Sequence, residues 1–289
     1  MNIIDDLKLQ YKVGGVAFRL IYWNIAFFLV SFVLVGLLAL VNVNVNVLQF
    51  VSLSSNPVDL FWKPWSIVTY SFFHFDFFHI LFNLIILNFS SKFFLTYFTE
   101  KQFVGVYVLG GIFAGLVFIS CFYVLNITTA IVGASAAIMA ILVAATAYQP
   151  LMNVRLLIIG NVKLWHITSV ILILDLLQLR SDNMGGHISH LSGALFGFLY
   201  IQLLKNGSDL STGVTKVIDV FVNLFRKSPS TPFKKVHKNY SKPPVQRVAK
   251  IVTKSKEQQQ IDEILDKISQ SGYDSLSKEE KDFLFKAGK

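Results

Sequence analysis

Residues 18–40 read FRLIYWNIAFFLVSFVLVGLLAL, an apolar run that only a few polar residues interrupt. A helix needs about 20 apolar residues to cross the hydrocarbon core of a bilayer, and this run is long enough. It is too long for the apolar part of a signal peptide, and residues 1–12 before it are polar and amphipathic. The run therefore predicts a first transmembrane helix over residues 18–41.

The composition of the whole chain also indicates a membrane protein. Of its 289 residues, 54% are hydrophobic and only 15% are charged, and the mean hydropathy is +0.57. Because soluble proteins average about 25% charged residues, this composition excludes an ordinary soluble enzyme and a disordered chain. The single cysteine, Cys121, excludes an intramolecular disulfide and a Cys-rich zinc site.

Five further apolar stretches predict five more spans, over residues 77–97, 103–125, 133–149, 156–179 and 185–204. Asn161, Lys163 and Asp175 interrupt the fifth of these stretches. The predicted fold class is all-α, a polytopic membrane bundle of six helices followed by a small helical cytoplasmic tail.

Lysine and arginine residues set the predicted orientation, because cytoplasmic loops carry an excess of them. With the N-terminus in the cytoplasm, the outer loops hold only Lys63 and Arg180. Seven basic residues of the membrane part then lie inside: Lys8, Lys12, Arg19, Lys92, Lys101, Arg155 and Lys163. Both termini are therefore predicted to be cytoplasmic, and spans two, four and six enter the membrane from the outer surface.

Polar residues occupy the first turns of these three spans. Residues 74–83 read HFDFFHILFN, residues 133–137 read GASAA and residues 185–197 read GGHISHLSGALFG. Strongly polar side chains are costly in lipid and usually face the interior of a bundle. Three such segments at one depth predict a shared polar cavity that opens outward.

The residue types in this predicted cavity suit acyl transfer. Ser135 is a candidate nucleophile, and a histidine can take its proton near neutral pH. His79 and Asn83, four residues apart on one helix face, can donate hydrogen bonds to an oxyanion. The backbone N–H of Ser135 at a helix N-terminus can do the same.

Three glycines would support this arrangement. Gly133 permits the close backbone approach that a substrate strand would need. Gly193 and Gly197 are four residues apart and would let span six pack closely against span four, which would bring His190 towards Ser135.

Other interpretations of the single residues stay open at this point. A serine in a run of small residues usually packs helices, and Asn83 alone fits an interhelical hydrogen bond. Asp175 alone fits a transporter proton relay, although it lies in the outer half of span five, where water of a loop can satisfy it.

Metal binding is another interpretation of the histidines. His187 and His190 are three residues apart and could form a metal site with His74 and His79. Asp76 is the one carboxylate that joins them, and the chain has no H-E-x-x-H motif, which disfavours a zinc protease.

Taken together, the motifs resemble those of the rhomboid intramembrane serine proteases over roughly residues 15–205. They stand in the family's order on spans two, four and six: H-x4-H-x3-N (His74, His79, Asn83), G-x-S (Gly133, Ser135) and H-x2-G-x3-G (His190, Gly193, Gly197). The segment from Pro64-Trp65 to Thr69-Tyr70 also resembles the family's first loop.

The resemblance implies a Ser–His dyad without a third acid, and it implies no metal or cofactor. Ser135 matches the nucleophile. His190 matches the general base, because the two glycines follow at the family's spacing only from His190 and not from His187. The oxyanion-hole donors would be His79, Asn83 and the Ser135 N–H, and the site-supporting residues would be His74, Gly133, Gly193 and Gly197.

The implied substrates are single-span membrane proteins that are cut near the outer surface at small residues in a locally unwound helix. Ala136 stands where the family usually has a second glycine, Ser66 where an arginine often follows the tryptophan, and Met139 where some members have an aromatic residue. The dyad itself is intact, which disfavours an inactive, client-binding relative. The lack of several charges in the middle of the spans disfavours a small transporter.

Three parts are predicted along the chain. They are a six-span membrane domain (1–205), an amphipathic segment with a basic, proline-containing linker (206–256) and a cytoplasmic helical hairpin (257–289). Residues 226–256 hold ten Lys or Arg and no Asp or Glu, which is typical of a solvated linker and also fits attraction to anionic lipids. Nucleic acid is not an expected partner, because the charge excess is largely confined to this short tail.

Helical spacing of apolar residues before and after the linker predicts helices in the tail. Residues 214–225 fit an interfacial helix, and residues 261–268 fit a second helix that ends at Gly272. Ser277-x-x-Glu280 resembles the capping box of a third. Because the resemblance is to bacterial six-span members, the expected location is the bacterial inner membrane.

Overall fold

The computed structural model describes residues 2–43, 45–156, 159–225 and 256–287, which form thirteen α-helices, two short 3-10 helices and two short antiparallel strand pairs. The chain divides into two units, residues 1–228 and residues 229–289. The helices of the first unit are α1 (Ile3–Val13), α2 (Gly15–Leu40), α3 (Leu48–Val51), α4 (Pro57–Trp62), α5 (Ser66–Thr69), α6 (Phe77–Tyr97), α7 (Glu100–Leu125), α8 (Ser135–Tyr148), α9 (Leu164–Leu177), α10 (Met184–Lys205) and α11 (Ser211–Phe225).

Among the described residues, four helices are long and apolar enough to cross a membrane: α2, α6, α7 and α10. Helices α8 and α9 are apolar but have only 14 residues each. Since an α-helix rises 1.5 Å per residue, these two are about 21 Å long. Each predicted apolar stretch overlaps one of these six helices, and the predicted all-α polytopic membrane fold is confirmed.

The predicted start of the fifth span is wrong. Strands β3 (Asn153–Leu156) and β4 (Gly160–Lys163) pair as an antiparallel hairpin, with Val154 opposite Val162, and α9 begins only at Leu164. Apolar and polar residues alternate along both strands, which is the strand period. Asn161 and Lys163 therefore lie in the hairpin and do not interrupt a span.

Helix α8 lies at the centre of the membrane unit. Residues 136–145 are all buried, and most of the helix consists of alanine and branched apolar residues. Helix α10 packs directly against it, because a Cβ added at Gly193 or Gly197 would collide with the backbone oxygen of Ala136 or Ala140. The close approach that the two glycines predicted is therefore present.

We expect Gly197→Ala to lower the thermal midpoint of the membrane unit, because the added methyl group would overlap the backbone of α8. Overpacking of this kind costs about 1–3 kcal/mol of the free energy of unfolding. Gly36→Ala on α2 is the matched control, since its added Cβ meets nothing within 4 Å. Equal midpoints for the two variants in detergent would contradict the close contact between α8 and α10.

Two α-helices lie in the described part of the second unit, α12 (Lys256–Ser271) and α13 (Lys278–Ala287), with a short 3-10 helix (Tyr273–Ser275) between them. Gly272 follows α12 with a φ of 78°, a backbone conformation that residues with a side chain rarely adopt. Ser277 and Glu280 form the predicted capping box, with N–H to side-chain distances of 2.7 and 3.2 Å. The predicted second and third helices of the tail are thus present.

Helix α11 confirms a helix over residues 214–225, and its place at a membrane interface stays a prediction. Asp209 precedes this helix and accepts hydrogen bonds from Ser211, Tyr200 and Gln102. The predicted basic linker, residues 226–256, lies outside the described residues except for Lys256.

Candidate active site

The first turn of α6 holds two of the predicted donors. Asp76 caps this helix, since its Oδ1 accepts a hydrogen bond from the His79 N–H at 2.9 Å. Asn83 lies one turn later on the same face, and its Nδ2 donates to the His79 carbonyl at 2.8 Å. One of the two amide hydrogens of Asn83 is therefore used within the helix, and the other remains for a ligand.

A chain of backbone contacts fixes the loop that ends at Ser135. Strand β1 (Leu53–Ser54) pairs antiparallel with β2 (Ala130–Ile131), and the Gly133 N–H donates to the Tyr70 carbonyl at 2.8 Å. The Tyr70 hydroxyl in turn donates to the Gly111 carbonyl of α7 at 2.6 Å. Helix α8 begins at Ser135, so its first N–H groups have no partner within the helix.

Gly133 is required by both its conformation and its surroundings. Its φ of 134° is one that residues with a side chain rarely adopt. A Cβ added there would lie 2.7 Å from His79 Nε2 and 3.6 Å from Ser135 Oγ. The His79 ring and the Ser135 hydroxyl therefore approach the same point beside the Gly133 backbone.

A cavity of about 640 Å³ brings the predicted site residues together. His79, Asn83, Ser135 and His190 all line it, and so does Asp175. Apolar side chains of α6 and α9 form much of the remaining wall: Phe78, Phe82, Ile86, Ile171 and Leu174. Three helix N-terminal regions and the end of α9 thus surround one space with a few polar groups and apolar walls.

No hydrogen bond joins Ser135 and His190 among the residues that the structure describes. Catalytic hydrogen bonds are often long before substrate binds and tighten in the complex. The arrangement therefore permits a serine–histidine pair, whose hydrogen bond would form when substrate binds.

Asp175 lies against two histidines, which corrects the expectation that water of a loop satisfies it. Its Oδ1 is 2.8 Å from His187 Nδ1 and 2.8 Å from His190 Nδ1. The carboxylate is buried, with 7% of its side chain exposed, against 22% for His190. The resemblance implies a dyad without a third acid. The geometry of this chain differs, because the Asp175 carboxylate contacts His190, the predicted base.

A signal for this contact was present in the sequence. Asp175 stands near the end of one predicted span and His187 near the start of the next, and only a short loop separates the spans. Residues at adjacent ends of consecutive antiparallel helices lie at one depth, so the acid and the histidines could have been placed together. Treating Asp175 as a lone charge missed this.

The metal interpretation changes in the same way. In the described chain, the nitrogen and oxygen ligand atoms of Asp175, His187 and His190 lie within 4.8 Å of one another, and His74 and His79 do not belong to this group. Asp76, the carboxylate named for it in the sequence, caps α6 instead. Hydrogen-bond distances between the three side chains account for their proximity.

His74 packs behind the site and not in it. Its ring meets the His79 ring edge-on, with 5.0 Å between the centroids, and neither of its nitrogens has a hydrogen-bond partner among the described residues. Burial, aided by the nearby His79, lowers the pKa of His74 to about 3, so its ring is neutral at physiological pH. A neutral packing ring agrees with the structural role that the resemblance implies.

Comparisons with known protein families give two matches. The Rhomboid domain family matches residues 62–206, which is half of the chain and contains every residue of the cavity named above. A family of unknown function, DUF6576, matches residues 252–286. No curated protein matches the chain.

Proposed function

Since the chain belongs to the rhomboid family, whose members are generally serine intramembrane proteases, we propose that it is an active serine endopeptidase. The single observation that carries this proposal is the cavity that Ser135, His190, His79 and Asn83 line together. A protein that only holds membrane clients needs a groove, but it does not need a nucleophile, a base and oxyanion donors around one space.

The first step is attack of Ser135 Oγ on the scissile carbonyl carbon. As the C–O bond forms, the hydroxyl proton moves to His190 Nε2 and the carbonyl π electrons move to the oxygen. The His190 Nδ1 is already bonded to Asp175, so Nε2 is the nitrogen left to accept a proton. The products of this step are a tetrahedral oxyanion and an imidazolium.

Three groups can donate to this oxyanion. The Ser135 N–H at the start of α8 has no partner within the helix, and Asn83 retains one amide hydrogen. The Phe75 N–H points at His79 Nδ1 at 3.5 Å, which makes Nδ1 the acceptor and places the ring proton on Nε2. This is the nitrogen beside Gly133 and Ser135, so His79 is protonated on the side where an oxyanion would form.

The later steps use the same groups. When the C–N bond breaks, the electron pair returns to the nitrogen and His190 gives it the proton, which releases the amine fragment and leaves an acyl ester on Ser135. Water then attacks this ester while His190 takes its proton, and the acid fragment leaves as Ser135 regains its hydrogen. The enzyme returns to its starting state without a cofactor.

The walls of the cavity indicate what class of substrate it accepts. Phe78 and Phe82 on α6 have 66% and 62% of their surface exposed, and Ile171 and Leu174 of α9 line the same space. A membrane-spanning segment would place its apolar side chains against them while its backbone reaches Ser135. We therefore propose single-span membrane proteins as substrates.

Location, orientation and the division of the chain are further parts of the proposal. The distribution of Lys and Arg supports cytoplasmic termini and a site near the outer surface, and the resemblance to bacterial six-span members supports an inner-membrane location. The three parts 1–205, 206–256 and 257–289 remain our proposed division. Residues 226–256 would add attraction to anionic lipids of the inner leaflet.

A serine-reactive fluorophosphonate probe tests the proposed activity directly. We expect the purified full-length protein in detergent to form a covalent adduct, and peptide mass spectrometry should map it to Ser135. Heat-denatured protein is the control, since activation depends on the folded site. Labelling that fails on folded protein, together with no cleavage of model single-span substrates in liposomes, would favour the client-binding alternative.

A further inference from the structure

We propose that Asp175 is a positioning residue that holds His190 in the tautomer and orientation that Ser135 needs. This inference rests on the proposed protease function and extends it, because the resemblance implies a base without a carboxylate partner. The observation that carries it is the single Asp175 oxygen that lies 2.8 Å from the Nδ1 atoms of both His190 and His187.

The hydrogen-bond chemistry of the cluster fixes the protons. An ionised carboxylate accepts hydrogen bonds and cannot donate them, so each contacting Nδ1 carries a proton. Neutral His190 then has its lone pair on Nε2, the atom that must remove the proton of Ser135. Without the carboxylate, the ring can place its proton on either nitrogen and can rotate, and only part of the population is competent.

The carboxylate would act more strongly in the transition state than in the ground state. Asp175 is buried, and its second oxygen, Oδ2, has no hydrogen-bond partner among the described residues. A poorly solvated negative charge gains most when the neighbouring ring becomes an imidazolium, which happens as Ser135 attacks. Asp175 accepts no proton in this step and serves only to orient and stabilise His190.

His187 holds the carboxylate in place from the other side. Its ring is more buried than that of His190, with 11% of the side chain exposed against 22%, and it does not line the cavity. The two rings meet edge-on with 5.8 Å between their centroids, and both are anchored on the first turns of α10. Asp175 on α9 thus joins one histidine that faces the cavity and one that does not.

The alternative role of Asp175 is structural, a tie between α9 and α10 through His187. The two roles differ in what a substitution changes. If Asp175 is a structural tie, its substitution lowers the stability of the protein, and substitutions of His190 and His187 lower it alike. A positioning role affects kcat, and the effect persists when His187 is absent.

The test compares Asp175→Asn, His187→Gln and the double variant in full-length protein with a model single-span substrate. We expect Asp175→Asn to lower kcat by about 10-fold to 10⁴-fold, the upper value being the loss on the same change in a soluble serine protease triad. KM should change by less than about threefold, because the apolar side chains proposed to hold the substrate, such as Phe78, Phe82 and Leu174, stay in place. The factor by which Asp175→Asn lowers kcat should be similar in the His187→Gln background.

The tautomer can be measured without turnover. Histidine ¹⁵N shifts in detergent should show a protonated Nδ1 on His190 in the wild-type protein and a shift of the proton towards Nε2 in Asp175→Asn. Selective loss of the His190 signal in His190→Ala assigns it. This measurement keeps the inference testable if a variant loses activity through poor folding.

The outcomes separate this inference from the proposed function. Wild-type protein that neither labels nor cleaves contradicts the function. Cleavage by Asp175→Asn with the wild-type kcat, or a kcat loss that vanishes in the His187→Gln background, overturns the positioning role while the function stands. Wild-type activity that a chelator abolishes and zinc restores would overturn it in favour of a metal site on Asp175, His187 and His190.

Discussion

Cleavage of a single-span substrate should fall below detection when Ser135 is replaced by alanine. The change removes the atom that forms the acyl bond in the proposed mechanism, and loss of the nucleophile in a soluble serine protease lowers kcat by about 10⁶. The fold should be retained, because Ser135 opens α8 without capping it and the neighbouring Ala134 and Ala136 are already the same size as the new residue. The measurement is the initial rate of product formation in liposomes.

Ser192→Ala provides the matched control. Ser192 is a buried serine on α10 whose hydroxyl, among the described residues, donates a hydrogen bond only to the Ile188 carbonyl of its own helix. Deleting this hydroxyl should leave kcat within about threefold of the wild-type value, since Ser192 does not line the cavity. Substantial cleavage by Ser135→Ala at an unchanged thermal midpoint would reject the mechanism.

The helices of the membrane unit were predictable because their signals are local. An apolar run of sufficient length has few alternatives in a bilayer, and the glycine pair at 193 and 197 predicted the contact between α8 and α10. The capping box at Ser277 and Glu280 is also a local pattern with one physical meaning. These features needed no knowledge of which side chains of distant segments pair.

The predicted start of the fifth span is wrong because hydropathy is also a local signal. Hydropathy averaged over residues 156–179 cannot distinguish a hairpin that precedes a helix from the helix itself, because Leu156 and Val162 are apolar in either case. The alternation along β3 and β4 carried the information. Gly160, with a φ of 83°, allows the chain to turn between the strands.

The polar cluster around Asp175 needed tertiary information that the sequence holds only indirectly. The contact joins α9 to α10 through side chains, and the spacing of 12 residues to His187 and 15 to His190 fits no helical period. The four predicted cavity residues were easier to place together, because each lies within the first turns of a helix whose direction could be inferred. The direction of each helix determines the level at which its ends lie, but it does not determine which side chains pair at that level.

Of the two histidines on α10, His190 should prove essential and His187 dispensable. His190 lines the cavity with Ser135, whereas His187 bonds to the same carboxylate from outside it. We expect His190→Ala to lower kcat by at least about 100-fold, the low end for loss of a general base. His187→Ala should keep kcat within about tenfold of wild type, because Asp175 still holds His190.

The stability of the two variants should rank in the opposite order. His187 is the more buried ring, and its removal leaves Asp175 with one donor in place of two. Either substitution loses a hydrogen bond to this buried charge, at a cost of about 1.5–3 kcal/mol, but His187→Ala also leaves the more buried cavity, so it should have the lower thermal midpoint. Measuring kcat and the midpoint on the same preparations separates the two effects. If His187 were the base, the activity ranking of the two variants would be reversed. Ser135 would then have to approach the side of α10 that faces away from the cavity.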